Sequence, residues 1–143
     1  MRSLPLIALF ITTSVFACPD LSGKYKSCKS TSGEATEGVT FSQTTISGVT
    51  IYSTESINSE TGESEIDSIA ADGVVRSQTE DDGYQSSSKA YCKGDTLVME
   101  GTFQQGKTSG TTIAEVRKVD GKLTTKVSAK VAGQDYQDTM ICE

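Results

Sequence analysis

The chain contains no histidine and no tryptophan. The first absence removes Ser-His-Asp triads, Cys-His dyads, and zinc or haem sites held by imidazole. Proline occurs only twice, at Pro5 and Pro19. A glycosylated stalk is usually Pro-rich, so the 38 serines and threonines among 143 residues point instead to the exposed faces of an antiparallel sheet, where Thr is well suited. Positive charge is in short supply, with 13 Lys and Arg against 19 Asp and Glu. Nucleic acid and anionic membrane surfaces both attract basic proteins, so neither is expected as a partner. No segment has the period of an amphipathic helix.

One long apolar run is present. Leu4 to Phe16 follows the positive Met1-Arg2 start and leads into Val15-Phe16-Ala17. A short basic start, an apolar stretch too short to span a bilayer, and small residues at −3 and −1 are the parts of a secretory signal. The expected organisation is a signal peptide over 1–17 and one domain over 18–143, exported to the periplasm or secreted. That domain has 126 residues, enough for a core of its own. Without Arg2 it carries 12 basic and 19 acidic side chains, a charge of −7.

Val15-Phe16-Ala17-Cys18 also loosely matches a lipobox, which would make Cys18 a membrane anchor. The bulky Phe16 fits that motif poorly, and lipidation would leave an odd number of cysteines. Simple cleavage is therefore favoured, with no membrane attachment unless Cys18 is lipidated. Four cysteines in an exported domain read as two disulfides. Three pairings of Cys18, Cys28, Cys92 and Cys142 are open. An extended Gly23–Cys28 segment would hold Cys18 and Cys28 well beyond the ~7 Å Cα limit, although a coiled lead-in over Pro19-Asp20 would relieve this. The balance favours Cys18–Cys92 with Cys28–Cys142. No C-x-x-C spacing occurs, so no metal site is assigned to the cysteines.

Glycine turns punctuate the chain at Ser47-Gly48, Thr61-Gly62, Asp72-Gly73, Asp82-Gly83, Lys93-Gly94-Asp95, Gln105-Gly106-Lys107, Asp120-Gly121 and Ala132-Gly133. Such spacing is that of an all-β sandwich or barrel. Between the turns, residues alternate with period two. Leu97, Met99, Gly101 and Phe103 share one face. Leu123, Thr125, Val127, Ala129 and Val131 alternate with Lys122, Thr124, Lys126, Ser128 and Lys130. Tyr136, Asp138, Met140 and Cys142 share a face in the last segment. Strands are also expected at 39–46, 49–54, 84–92 and 110–119, with weaker signals near 23–29, 64–70 and 73–77 and a loose link over 30–38. The predicted fold is an antiparallel up-and-down meander of about eight to ten strands. A meander of that length tends to close into a barrel, which removes exposed edges; a β-sandwich is the alternative.

The opening of the mature chain, Cys18-Pro-Asp-Leu-Ser-Gly-Lys-Tyr25, resembles the first strand of calycin-type barrels. Lipocalins begin with Gly-x-Trp and avidins with Leu-x-Gly-x-Trp; here Leu21, Gly23 and Tyr25 stand at those places. The same start is similar to that of small exported proteins of predatory bacteria. The resemblance implies an up-and-down barrel able to hold a small ligand. Avidin's biotin-lining tryptophans have no counterpart, so biotin is not expected.

The interior is expected to include Tyr25, Phe41, Ile51, Tyr84, Leu97, Met99, Phe103, Val116, Leu123, Val127, Tyr136 and Met140. Of these, Tyr25, Phe41, Tyr84, Met99, Phe103 and Tyr136 are the candidate ligand-lining residues, with tyrosine hydroxyls as polar handles. Glu80-Asp81-Asp82-Gly83 lacks the D-x-[DN]-x-[DN]-G spacing of a calcium loop and reads as a hairpin tip. The run Glu55, Glu60, Glu63, Glu65 and Asp67 reads as a solvated acidic face. Ser86-Ser87-Ser88 has no base nearby in sequence, and no pair of carboxylates stands out for glycoside chemistry. No catalytic residues, cofactor or metal are expected. The expected function is a non-enzymatic exported binding module for a small apolar ligand. The alternative is a structural or interaction protein of the envelope or cell surface with a filled core.

Overall fold

The computed structural model describes residues 17–58 and 60–143. The signal expected over 1–17 lies outside them except for Ala17. The described residues form ten strands and no helix. They are β1 (Gly23–Ser30), β2 (Ala35–Ile46), β3 (Val49–Ile57), β4 (Ser64–Ala70), β5 (Arg76–Thr79), β6 (Gln85–Lys93), β7 (Thr96–Gln105), β8 (Thr108–Val119), β9 (Lys122–Val131) and β10 (Gln134–Cys142).

All ten belong to one sheet in the order β4-β3-β2-β1-β10-β9-β8-β7-β6-β5. One sheet, not two, removes the sandwich alternative. The order is that of an up-and-down meander whose first and last strands are paired and whose break falls between β4 and β5. Closure there is not seen: among the described residues no ladder joins β4 to β5, and the sheet is a curled half-barrel. The two edges approach at one end, where the connector after β4 bonds to both sides. Ala71 N donates to Thr50 O, and Gly73 N donates to Ala90 O. Elsewhere the edges are protected by brevity and charge. β5 has only four residues, and β4 carries Glu65 and Asp67. Both are devices that discourage edge-to-edge pairing.

Apart from Asp72-Gly73, which lies in the connector between the mutually unpaired β4 and β5, the glycine-marked turns join paired strands, and their backbone reaches the left-handed region. Three two-residue loops have positive φ at both positions: Ser47-Gly48, Asp120-Gly121 and Ala132-Gly133. That is the primed turn whose twist matches antiparallel strands. The expected loose link over 30–38 is shorter than foreseen. Ser30 N bonds to Glu34 O, and Ala35 and Thr36 already pair with Lys29 and Cys28.

The predicted faces of β7 and β9 are observed, with Leu97 paired to Val116, Val116 to Thr125, and Leu123 to Cys142. Three strands depart from simple alternation of burial; in β7, Val98 on the face opposite Leu97 is buried too. In β1, Tyr25 and Cys28 are both buried although three residues apart. The cause is a bulge: the N–H groups of Lys26 and Ser27 both donate to Glu143 O. Two residues thus oppose one, and side-chain parity shifts across them. The partner strand accommodates this with Gly38, where a Cβ would stand 2.7 Å from the Lys26 carbonyl carbon and oxygen. In β3 the interior residue is Tyr52, 1% exposed, and not Ile51 as expected. Both parities of Val-Thr-Ile-Tyr place an apolar residue inward. The tyrosine wins because its ring fills the core while its hydroxyl reaches Pro19 O at 2.7 Å.

The core occupies the end where the edges meet. Leu21, Tyr25, Phe41, Tyr52, Ala90, Leu97, Val116, Leu123 and the Cys28–Cys142 pair form one buried cluster. Both disulfides have the favoured pairing, Cys18–Cys92 and Cys28–Cys142. The second bridges directly opposed residues of β1 and β10. The first acts at longer range. The segment before β1 leaves the middle of the sheet and is tied to β6 by Cys18. On the way it buries Leu21 completely. Leu21 N donates to Gln43 Oε1 at 3.0 Å, and Lys118 Nζ donates to Ser22 O at 2.9 Å. The segment is a strap across the curl.

Candidate functional site

Why the concave face is not filled throughout follows from its residues. By register, the inward positions beyond the core include Ser86, Ser88, Gly101, Gly110, Thr112, Ala114 and Ala129. Small side chains there cannot span a barrel interior, so space remains. It forms two concave sites of different character.

The first is a cavity of about 720 Å³ directly against the core. Val39, Phe41, Met99, Val116, Leu123, Met140 and the Cys28–Cys142 bridge make an apolar floor. Thr36, Glu37, Thr54, Ser56, Asn58, Glu60 and Thr125 supply its polar positions. Phe41 packs tilted against Tyr52, with ring centroids 5.8 Å apart, so the floor is continuous with the filled end. Such a volume is within the range of small-molecule sites, which are mostly apolar with a few polar groups. The two methionines make the floor adaptable, since unbranched thioether chains repack at little cost.

The second is a trough of about 770 Å³ at the other end of the β5–β9 wall. Hydroxyls and amides dominate it, from Gln78, Ser86, Gln104, Ser109 and Thr111 among others, with Phe103 as its one aromatic ring. Phe103 lies on Gly110, where a Cβ would meet the ring at 2.5 Å from Cζ. Tyr84 is nearly parallel to Phe103 at 6.4 Å.

The six residues expected to line one ligand site are therefore divided. Phe41 and Met99 line the apolar cavity. Phe103 lines the polar trough, with Tyr84 beside it. Tyr25 is buried in the core, and its ring covers Gly23 so closely that a Cβ there would be 2.9 Å from Cζ. Its hydroxyl donates to Leu21 O at 3.0 Å, so it is a structural residue. Leu21, Gly23 and Tyr25, the residues that carry the calycin resemblance, are thus packed on one another. Tyr136 shares the inner face by its pairing with Ala129 but is 53% exposed and donates to Gln134 Oε1. Val39, Glu37 and the disulfide wall were not foreseen as lining. The bulge hides Cys28, because parity counted from Tyr25 turns it outward; Glu37 falls in the segment read as a loose link, and Val39 is the first residue of the strand expected there.

The acidic segments have separate fates. Asp82 accepts from Tyr84 N and Gln105 Nε2 and closes a hairpin tip. Of the run on β3 and β4, Glu55 accepts from Ser64 Oγ, whereas Glu60 reaches the cavity rim. The strongest carboxylate perturbation lies away from both concave sites. The Arg76 guanidinium, 2.6 Å from Asp72, holds that carboxyl well below its ordinary range, aided by the Val74 amide. This pair fastens the exposed connector at the seam. Burial, with the Asp20 charge as a lesser cause, pushes the Tyr52 hydroxyl up to about 12.

Comparison with known family models, curated proteins and solved structures finds no match to this chain.

Proposed function

We propose that this protein is a non-enzymatic, exported binding module that holds a small apolar ligand on the concave face of a calycin-like barrel. The observation carrying this reading is the apolar floor of the 720 Å³ cavity. Apolar side chains from strands distant in sequence converge there while the neighbouring wall is kept small. The two disulfides are consistent with an oxidising, exported environment. Cys18 Sγ is bonded to Cys92, which supports a clasped, untethered N-terminus over a lipid anchor. On this reading the β4–β5 seam is the place where the barrel closes around its contents.

The test is native mass spectrometry of protein purified from its own host, together with titration of an environment-sensitive apolar dye. Retained mass or saturable dye binding that Met99→Lys abolishes is the expected result. A protein that carries nothing and binds no apolar probe would instead be a filled-core structural protein, working through its acidic exterior. The solid packing of Leu21, Tyr52 and Leu97 at one end is what favours that second reading.

A further inference from the structure

We infer that the cavity selects amphiphiles with a cationic head over fatty acids and other anionic lipids; the inference rests on the binding reading above and concerns its ligand class. Among the described residues, Glu37 and Glu60 are the only ionisable residues along the cavity, with Glu37 at its outer edge, opposite the exposed Ser27. The register adds two more carboxylates. Thr54 and Ser56, which line it, pair with Asp67 and Glu65 on β4. Directly opposed strand residues point to the same face with Cβ atoms about 5 Å apart. Among the described residues, no lysine or arginine lines the site.

The consequence follows from the cost of an unpaired charge. A carboxylate head drawn to this rim would lose part of its hydration without gaining a cationic partner, and would face like charges. An ammonium head meets complementary charge while its chain lies on Phe41, Met99 and Met140. Charged rims of this kind change selectivity more than total affinity. Because the carboxylates sit at the rim and not in the floor, the preference is sensitive to salt.

The experiment compares decyltrimethylammonium, decanol and decanoate by calorimetry on the disulfide-bonded protein at neutral pH, each below its micelle concentration. The expected order is cation, alcohol, anion, with the cation at least about tenfold tighter than the anion at low salt, the scale of two or more charge contacts in high dielectric. Replacing the four rim carboxylates together, as Glu37→Gln, Glu60→Gln, Glu65→Gln and Asp67→Asn, should bring that ratio towards one while leaving decanol binding unchanged. Glu115→Gln, which removes a carboxylate outside the cavity, should preserve the ratio and so exclude a general attraction of cations to an acidic protein. Decanoate binding as tightly as the cation, or a ratio untouched by the fourfold variant, overturns the inference. Decanol binding with no charge preference overturns the selectivity alone. Failure of all three probes to bind overturns the binding reading with it.

Discussion

Removing the Cys18–Cys92 bridge, as Cys18→Ala with Cys92→Ala, isolates the contribution of the N-terminal strap. The bridge spans 74 residues, and chain-entropy reasoning for a loop of that length gives about 4.5 kcal/mol of stabilisation at 25 °C. The realised loss should be smaller. Leu21 remains a buried anchor, and the hydrogen bonds from Leu21 N and Lys118 Nζ keep part of the strap in place. We expect a loss of roughly 2–4 kcal/mol, a large share of the ~5–15 kcal/mol typical of a domain. Guanidinium denaturation followed by far-ultraviolet circular dichroism measures it, and the slope should rise because the unfolded chain becomes more extended. Hydrogen exchange gives the local signature. The Ala71 and Gly73 amides, which join the sheet edges beside Cys92, should exchange faster, while amides along β9 follow only the global loss. A stability change under about 1 kcal/mol, or unchanged exchange at both amides, would show that the sheet curls without its strap and refute the reasoning.

Further expectations concern single residues. Gly38→Ala drives a methyl group into the backbone of Lys26 and should cost about 1–3 kcal/mol or more by thermal melting; an unchanged melting temperature would mean that the bulge does not need a glycine partner. Ala132 holds a φ of 49°, a conformation costing an ordinary L-residue about 1–2 kcal/mol, so Ala132→Asn should stabilise the protein by up to about 1 kcal/mol, and a destabilised variant would contradict the turn assignment. Tyr52 is neutral in the fold until its pKa of about 12 but ionises near 10 when unfolded. Its contribution is therefore intact below pH ~10 and lost between about 10 and 12, on the order of 2 kcal/mol. Stability measured across that range should fall less steeply in Tyr52→Phe. Intact mass from the native host should show a chain beginning at Cys18, without acyl mass and four protons lighter than its fully reduced form; four titratable thiols would contradict both bridges.

Much of the fold was legible because hairpin chemistry and period-two alternation are local. Asp120-Gly121 and Ala132-Gly133 announce their turns, and the lysines opposite Leu123, Val127 and Val131 announce the outer face of β9. An extended β1 separates Cys18 from Cys28 and excludes one of the three disulfide pairings; the choice between the other two is made by the register that sets Cys28 opposite Cys142. Other features depend on partners remote in sequence. The bulge at Lys26-Ser27 is defined by Glu143 O, and nothing local marks it. The choice of Tyr52 over Ile51 is made by Pro19 O. Closure was expected from the number of strands, but the break between β4 and β5 reflects a short strand and inward acids acting together. Of the candidate lining residues, Phe41 and Met99 lie along one concave site and Phe103 along the other. Their division between two sites depends on which inner positions are small, Gly101, Gly110 and Ala129 among them, and those positions become a wall only once β6 to β9 are aligned.

The seam has one more consequence, for how this molecule withstands proteases. Val74 and Val75 in the connector are 53% and 59% exposed, an inviting place for a cut. Yet Cys18 and Cys28 lie before that point, and Cys92 and Cys142 lie after it. A nick there yields two chains that stay covalently joined at two places, with every ladder of the sheet still intact, since β4 and β5 were never paired. In an environment rich in proteases, the weakest stretch of backbone is one whose cleavage leaves the sheet in a single piece.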